Sequence, residues 1–206
     1  MGRLRPPPGP LPPQVLPRIR LPEKPPQLTT RRLALRGLRL DDARRIQELA
    51  GDRAIAENTL RIPHPYEDGM AERWIRQQRE RYREGRDVTF AIVPRRAKRL
   101  IGVIGLGIAA QHWRAELGYW IGKPYWNRGY ATEAAEAVLR YGFATLRLNR
   151  ICAFHFGRNP ASGRVLEKVG MTYEGTRRQH IRKWETFEDL AGYGILREEF
   201  EKRGGG

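Results

Sequence analysis

The sequence holds few of the residues that form disulfides or bind metals. Its 206 residues include one cysteine, Cys152, and four histidines. One cysteine cannot form an internal disulfide, and no pair of cysteines or histidines falls at the spacing of a zinc site. We therefore expect a fold without metal in a reducing compartment.

Long apolar runs are also missing. No stretch approaches the roughly 20 apolar residues that cross a bilayer. The N-terminus carries prolines and arginines where a signal peptide is uninterruptedly apolar. These absences predict a cytoplasmic protein with no membrane partner.

Acidic residues are few beside basic ones, with 23 Asp and Glu against 39 Lys and Arg, and the formal net charge is +16. Such a charge attracts anions, among them phosphate-bearing cofactors, RNA and acidic proteins. The net charge does not identify which of these anions binds. Many of the basic residues alternate with glutamates, as on a solvated helix face.

The composition divides the chain into a tail and one domain. Residues 1–28 hold ten of the fifteen prolines and show almost no periodicity, which predicts a disordered tail rich in Pro and Arg. Residues 29–200 are long enough for one domain with a single core. Residues 201–206 end in three glycines and are expected to be a flexible tail.

Hydrophobic periodicity predicts the order of elements within the domain. A strand begins at Leu28, a helix follows Asp42, and a second helix spans Met70 to Glu84. Three strand-like runs come next, DVTFAIVP, KRLIGVIGLGIA and AELGYWIG, followed by a helix from Gly129. A strand NRICAFHF, a helix ended by Gly170 and the strands MTYEGTRR and LAGYGILREE complete the chain. This order predicts an α/β (α+β) fold, with a mixed, mostly antiparallel sheet flanked by helices on both faces.

The turn NRGYA, residues 127–131, joins the third of these strands to its helix. At such a turn several N–H groups lack intrahelical partners and lie at the positive end of the helix dipole. Gly129 lets a ligand approach the main chain, and Arg128 adds a positive charge. The turn therefore predicts an anion site, although a glycine at a helix start is also common for structural reasons alone.

Three motifs in order, LTTRRLALR, ELGYWIGKPYWNRGYATEA and NRICAFHFGRNPASGRVLEKVGMTYEG, resemble the GCN5-related N-acetyltransferase (GNAT) superfamily, and within it the RimJ and RimL ribosomal-protein alanine N-acetyltransferases. The resemblance spans roughly Leu28 to Glu199. It implies the GNAT fold and transfer of an acetyl group from acetyl-CoA to a primary amine, with no metal.

The resemblance also implies where acetyl-CoA binds. The superfamily signature, Gln/Arg-x-x-Gly-x-Gly/Ala, wraps the pyrophosphate, and the matching residues with the one that follows are Trp126, Asn127, Arg128, Gly129, Tyr130, Ala131 and Thr132. Trp126 departs from the pattern, so the usual side-chain bond is lost there. Main-chain groups of Tyr119, Trp120 and Ile121 are expected to pair with the pantetheine arm along a splayed strand. Asn159 is expected to cap its helix and to contact the same arm.

Catalytic residues follow from the same likeness. Glu116 matches the family's glutamate and is the candidate general base, with a charge at a strand start as the alternative. The tyrosine that many members use as acid corresponds to Leu166 here. Ser162 is the nearest replacement, and it equally suits a helix cap or a coenzyme A contact.

Other polar residues have weaker patterns. A nucleophilic pairing of Cys152 with His155 is conceivable, but core packing suits Cys152 better because direct transfer needs no acyl-enzyme. Asp189 and Tyr193 match the ending of the RimJ and RimL branch and are candidates to line the acceptor site or to stabilise a strand edge.

The sequence is compatible with more than one acceptor. A protein N-terminal α-amino group, with ribosome association, is the first expectation and a small-molecule amine the second. A different class is a non-catalytic protein of the same fold that binds RNA through its basic surface. A homodimer is conceivable through a sheet edge at the last strand.

Overall fold

The computed structural model describes residue 19 and residues 21–204. Most of the predicted disordered tail, residues 1–18 and 20, lies outside them. The end of that tail is packed on the domain: the side chain of Ile19 is 8% exposed, Leu21 contacts the core, and the carbonyl of Pro22 accepts from the Tyr82 hydroxyl at 2.7 Å. The ordered chain therefore begins before residue 28, because these apolar side chains find a place on the core.

Eight strands form one sheet. Their bounds are β1 Leu28–Thr29, β2 Leu33–Gly37, β3 Asp87–Pro94, β4 Gly102–Ala109, β5 Arg114–Ile121, β6 Arg150–Phe156, β7 Thr172–Lys183 and β8 Thr186–Leu196. The spatial order is β1-β2-β3-β4-β5-β6-β8-β7. All neighbours are antiparallel except β5 and β6, which are parallel, so the predicted mixed, mostly antiparallel sheet is confirmed.

Six α-helices flank the sheet among the described residues: α1 Ala43–Ala50, α2 Arg53–Glu57, α3 Met70–Arg83, α4 Tyr130–Arg140, α5 Pro160–Lys168 and α6 Arg197–Gly204. Apolar residues of α1 and α3 pack on one face, against Ala91, Val93 and Val103. Small residues of α4, including Ala134 and Ala135, are fully buried on the other face. The helices thus lie on both faces, as predicted.

The last part of the chain differs from the prediction. The strand LAGYGILREE ends at Leu196, and its final residues begin α6, which continues to Gly204 into the expected flexible tail. The last strand, β8, lies between β6 and β7, so it offers no free edge. The expected dimer edge at β8 is therefore wrong, because the β7–β8 hairpin folds back and places β7 outermost.

The functional geometry comes from the separation of β5 and β6. Their pairing covers only Arg114–Leu117 against Arg150–Ala153. Beyond it, β5 continues to Ile121 along β4, while β6 continues to Phe156 along β8. A gap therefore opens between the two strands from Gly118 onward, beside α5.

Candidate functional site

The sequence predicts an anion site at the N-terminus of α4. Gly129 precedes the helix with φ 73°, a left-handed conformation that glycine adopts without strain. The first helical bond joins Glu133 N–H to the Gly129 carbonyl at 3.1 Å. Among the described residues, the four preceding N–H groups, from Gly129 to Thr132, have no acceptor. Four free donors at the positive end of a helix suit a pyrophosphate.

A partly buried ion pair fixes this turn to the start of the sheet. The carboxylate of Glu133 accepts from Arg32 Nε at 2.6 Å, from Arg32 N at 2.8 Å and from the Thr30 hydroxyl at 2.6 Å. Arg32 also donates to the Arg128 carbonyl at 2.9 Å and covers the Tyr130 ring. Burial alone raises the pKa of Glu133, but the hydrogen bonds from Thr30 and Arg32 outweigh it and lower that pKa. The sequence pattern did not reveal this contact.

Trp126 has a structural partner of its own. Its indole N–H donates to the Ile121 carbonyl at 2.5 Å, which ties the turn to the end of β5. The departure from the family signature thus replaces one side-chain bond by another. Asn127 has φ 57°, which asparagine tolerates better than most residues.

Main-chain direction distinguishes the three residues expected to meet the pantetheine arm. Gly122 N–H donates to the Ile101 carbonyl at 2.8 Å, toward the β4 side. Alternate residues of a strand direct their N–H and C=O groups to opposite neighbours, so Trp120 also faces β4. Tyr119 and Ile121 face the gap, although the Ile121 carbonyl already accepts from Trp126. The side chain of Trp120 packs against the α1 and α3 cluster.

Beside the gap, two hydroxyl groups meet. The phenol of Tyr119 lies 2.8 Å from Ser162 Oγ and 3.2 Å from the Ser162 carbonyl. Burial raises the pKa of Tyr119 to about 12, against a lowering effect of the Ser162 hydroxyl. Tyr119 is therefore protonated at neutral pH. Ser162 N–H donates to Asn159 Oδ1 at 3.3 Å, which confirms the predicted asparagine cap of α5.

Glu116 lies on the opposite face of the sheet, before the gap opens. Its side chain is exposed, and among the described residues it makes no hydrogen bond or ion pair. Two residues on, Gly118 would place a Cβ with nothing within 4 Å. An accessible carboxylate beside open space can accept a proton from an amine.

Cys152 is the parallel neighbour of Glu116. It is 7% exposed, and burial and the charge of Glu116 raise the pKa of its thiol. A buried thiol beside a carboxylate is a poor nucleophile, which favours the packing interpretation.

Leu166, Tyr193 and Asp189 are the remaining candidates. Leu166 is fully buried in the core, so α5 offers no acid at that position. Tyr193 is also buried, and its hydroxyl donates to Glu167 Oε1 at 3.2 Å. Asp189 is exposed and accepts from Gln179 N–H at 2.8 Å. These positions do not bring Asp189 and Tyr193 together at one site.

Within residue 19 and residues 21–204, no helix is long and apolar enough to cross a membrane, and no group of three or more His, Cys, Asp or Glu is placed to hold a metal ion.

Sequence comparison identifies the family. Residues 32–172 match the family described as Acetyltransferase (GNAT) domain. The uncharacterized N-acetyltransferase YoaA of Bacillus subtilis is 41% identical over 56% of this chain and 66% of its own length. The uncharacterized N-acetyltransferase p20 of Bacillus licheniformis is 30% identical over 84% of this chain and 97% of its own. The uS5 ribosomal-protein alanine N-acetyltransferase of Escherichia coli is 28% identical over 75% and 82%.

Solved structures share the architecture. A GNAT-family acetyltransferase from Bacillus anthracis superposes with a TM-score of 0.74 at 27% identity, over 84% of this chain and 99% of that one. A spermidine N-acetyltransferase from Vibrio cholerae, solved with CoA and spermine, has a TM-score of 0.73 at 24% identity, over 84% and 99%, and shows the fold alone. With the matched family and these relatives, the chain belongs to the GNAT family and is an N-acetyltransferase.

Proposed function

We propose that this enzyme binds acetyl-CoA at the start of α4 and in the gap between β5 and β6, and transfers the acetyl group directly to a protein N-terminal α-amino group. The observation that carries the cofactor assignment is the row of four free N–H groups from Gly129 to Thr132 beside that gap. Arg128 adds positive charge there, while the charge of Arg32 is neutralised by Glu133. The residues present therefore fit a pyrophosphate and an extended arm.

In this proposal acetyl-CoA supplies the acetyl group as an activated thioester. An amine must be neutral to attack it, and an α-amino group has a pKa of about 7.7 to 8.0. Glu116 accepts the amine proton, directly or through a water, because its carboxylate is exposed and uncommitted. Glu116 deprotonates an α-amino group more easily than a lysine amine, because the lysine amine has a higher pKa of about 10.4.

Tyr119 and Ser162 supply hydroxyl groups beside the gap, whereas Leu166, at the position of the family's usual acid, supplies none. Tyr119 stays protonated because burial raises its pKa to about 12. A phenol with that pKa stabilises a leaving thiolate as a hydrogen-bond donor, since full proton transfer to a sulfur of pKa near 8.5 is uphill. Ser162 holds the phenol in place at 2.8 Å.

The acceptor assignment rests on one relative and on the net charge. The uS5 alanine N-acetyltransferase of Escherichia coli, a relative across most of this chain, supports a protein N-terminus, and the net charge of +16 suits a ribosome-associated substrate in the cytoplasm. The same charge repels cationic polyamines.

An acceptor panel tests the proposal. Coenzyme A release is followed with acetyl-CoA and, in parallel, peptides with free N-termini, peptides with only a lysine amine, and small amines. Turnover with free N-termini above the other two is expected. Turnover only with small amines would overturn the acceptor assignment, and RNA affinity that falls steeply with salt in a protein without turnover would overturn the enzymatic role.

A further inference from the structure

An aromatic ring lies on the same face of the sheet as Glu116. Cys152 pairs with Glu116, and Phe154, two residues further along β6, projects from the same face. Phe154 pairs with Gly192 on β8. A Cβ at Gly192 would lie 3.1 Å from the Phe154 ring, so the ring lies across the glycine on the sheet surface.

An arginine lies over that ring. The guanidinium carbon of Arg177, on the edge strand β7, is 5.2 Å from the centroid of Phe154. A guanidinium held over an aromatic ring keeps its N–H edge free to bind a carboxylate with two hydrogen bonds. The aromatic ring thus both attracts the charge and limits its rotation.

The charge of Arg177, unlike those of Arg150 and Arg158, is not neutralised by an acidic side chain. Arg150 pairs with Glu174, and Arg158 pairs with Glu188. Among the described residues, Arg177 has no acidic side chain within 4 Å. Its guanidinium makes one side-chain hydrogen bond, to His180 Nε2 at 3.5 Å.

Arg177 also lines a cavity of about 760 Å³ with Arg178, Gln179 and Asp189. The acidic member, Asp189, accepts from the Gln179 main chain. The lining thus carries two arginines and one committed carboxylate, which leaves it able to bind an anion.

We propose that Arg177 binds a carboxylate of the acceptor, so that the enzyme selects substrates with an acidic group near the reacting amine. This inference rests on the proposed function, with Glu116 at the amine. Strands lie about 4.8 Å apart and rise about 3.3 Å per residue, which places the Phe154 Cα about 8 Å from that of Glu116. An extended peptide advances about 3.4 Å per residue, so the carboxylate belongs to the second or third residue.

Matched peptides test this selection. Alanine-initiated peptides with Asp or Asn at position two, and with Glu or Gln at position three, are compared by kcat/KM at low and high salt. The acidic peptide of a pair is expected to react about tenfold faster, the effect of one charge-assisted pair. Free aspartate and asparagine form a second arm, which shows whether the carboxylate must lie on a peptide.

Arg177→Gln should abolish the preference while leaving turnover of the amide peptides unchanged. Arg177→Glu should reverse it toward peptides with lysine at the same positions. Arg140→Gln is the control, because Arg140 is equally exposed but lies on α4, on the other face of the sheet. All variants should have the same melting temperature as the wild type, since Arg177 and Arg140 are both exposed.

The outcomes separate the two claims. Equal rates for acidic and amide acceptors, or a preference that survives in Arg177→Gln, would overturn the carboxylate site while the acetyltransferase proposal stands. No turnover with any peptide would instead overturn the proposed acceptor, and with it the inference.

Discussion

The phenol of Tyr119 on β5 and the hydroxyl of Ser162 on α5 lie 2.8 Å apart, 43 residues distant in the chain. They meet where β5 leaves β6, beside the gap that we assign to the pantetheine arm. We assign to this pair the role of hydrogen-bond donor to the leaving thiolate. Leu166, at the position of the family's usual acid, has no hydroxyl and is buried in the core.

Removal of the phenol should slow the chemical step. Tyr119→Phe is expected to lower kcat about 10- to 100-fold, the loss of one hydrogen bond to a developing charge, with little change in the KM for acetyl-CoA. Steady-state kinetics measure both constants. Tyr141→Phe is the matched control, since Tyr141 is a buried tyrosine whose hydroxyl has no partner among the described residues. An equal loss of kcat in both variants would show that buried phenols matter only for packing.

Alkaline pH should destabilise the fold through Tyr119. Burial raises its pKa to about 12, while the unfolded chain ionises near 10. The pKa of Tyr119 is higher in the folded protein than in the unfolded chain. Its contribution to the unfolding free energy is therefore complete below pH 10 and is lost as the pH rises toward 12. Two pKa units correspond to about 3 kcal/mol.

Urea unfolding at pH 9 and pH 11.5 measures this loss. The drop in unfolding free energy between the two pH values should be smaller in Tyr119→Phe than in the wild type. An unchanged drop would mean that Tyr119 titrates normally in the folded protein.

Cofactor affinity should depend on the left-handed Gly129. Gly129→Ala adds a Cβ 3.4 Å from Arg32 at a φ of 73°, and the backbone strain of about 1–2 kcal/mol moves the free N–H groups. Calorimetric titration with CoA is expected to show about tenfold weaker binding. Gly85→Ala is the control, because Gly85 has φ 72° and precedes β3, outside the proposed cofactor site. Equal affinities for Gly129→Ala and Gly85→Ala would contradict the assignment.

Loss of the Glu133 charge should loosen the same turn. Glu133→Gln weakens the bonds from Thr30 and Arg32, and we expect a loss of about 1–3 kcal/mol of unfolding free energy together with weaker CoA binding. Denaturant unfolding and CoA titration are run beside Glu136→Gln, an exposed change on the same helix. If both variants match the wild type, the Arg32–Glu133 pair does not hold the turn.

Local sequence patterns predicted the features that depend on neighbouring residues in the chain. Periodicity located most of the strands and helices, and Gly129 marked the anion turn, because a glycine before a helix has a local cause. It missed the bond between Arg32 and Glu133, 101 residues apart, and the meeting of Tyr119 with Ser162. Both depend on strand order and register, which chain-local patterns do not contain. The family signature also could not show that Trp126 donates to Ile121.

The most direct test of the account is the turnover of Glu116→Gln with a peptide N-terminus as acceptor, measured beside its CoA affinity. Removal of a general base typically costs about 10²- to 10⁴-fold in rate, so we predict a fall of at least about 100-fold with CoA binding unchanged, because Glu116 lies on the opposite face from Tyr119 and Ser162. Turnover within about twofold of the wild type would contradict the role of Glu116, and with it the proposed mechanism.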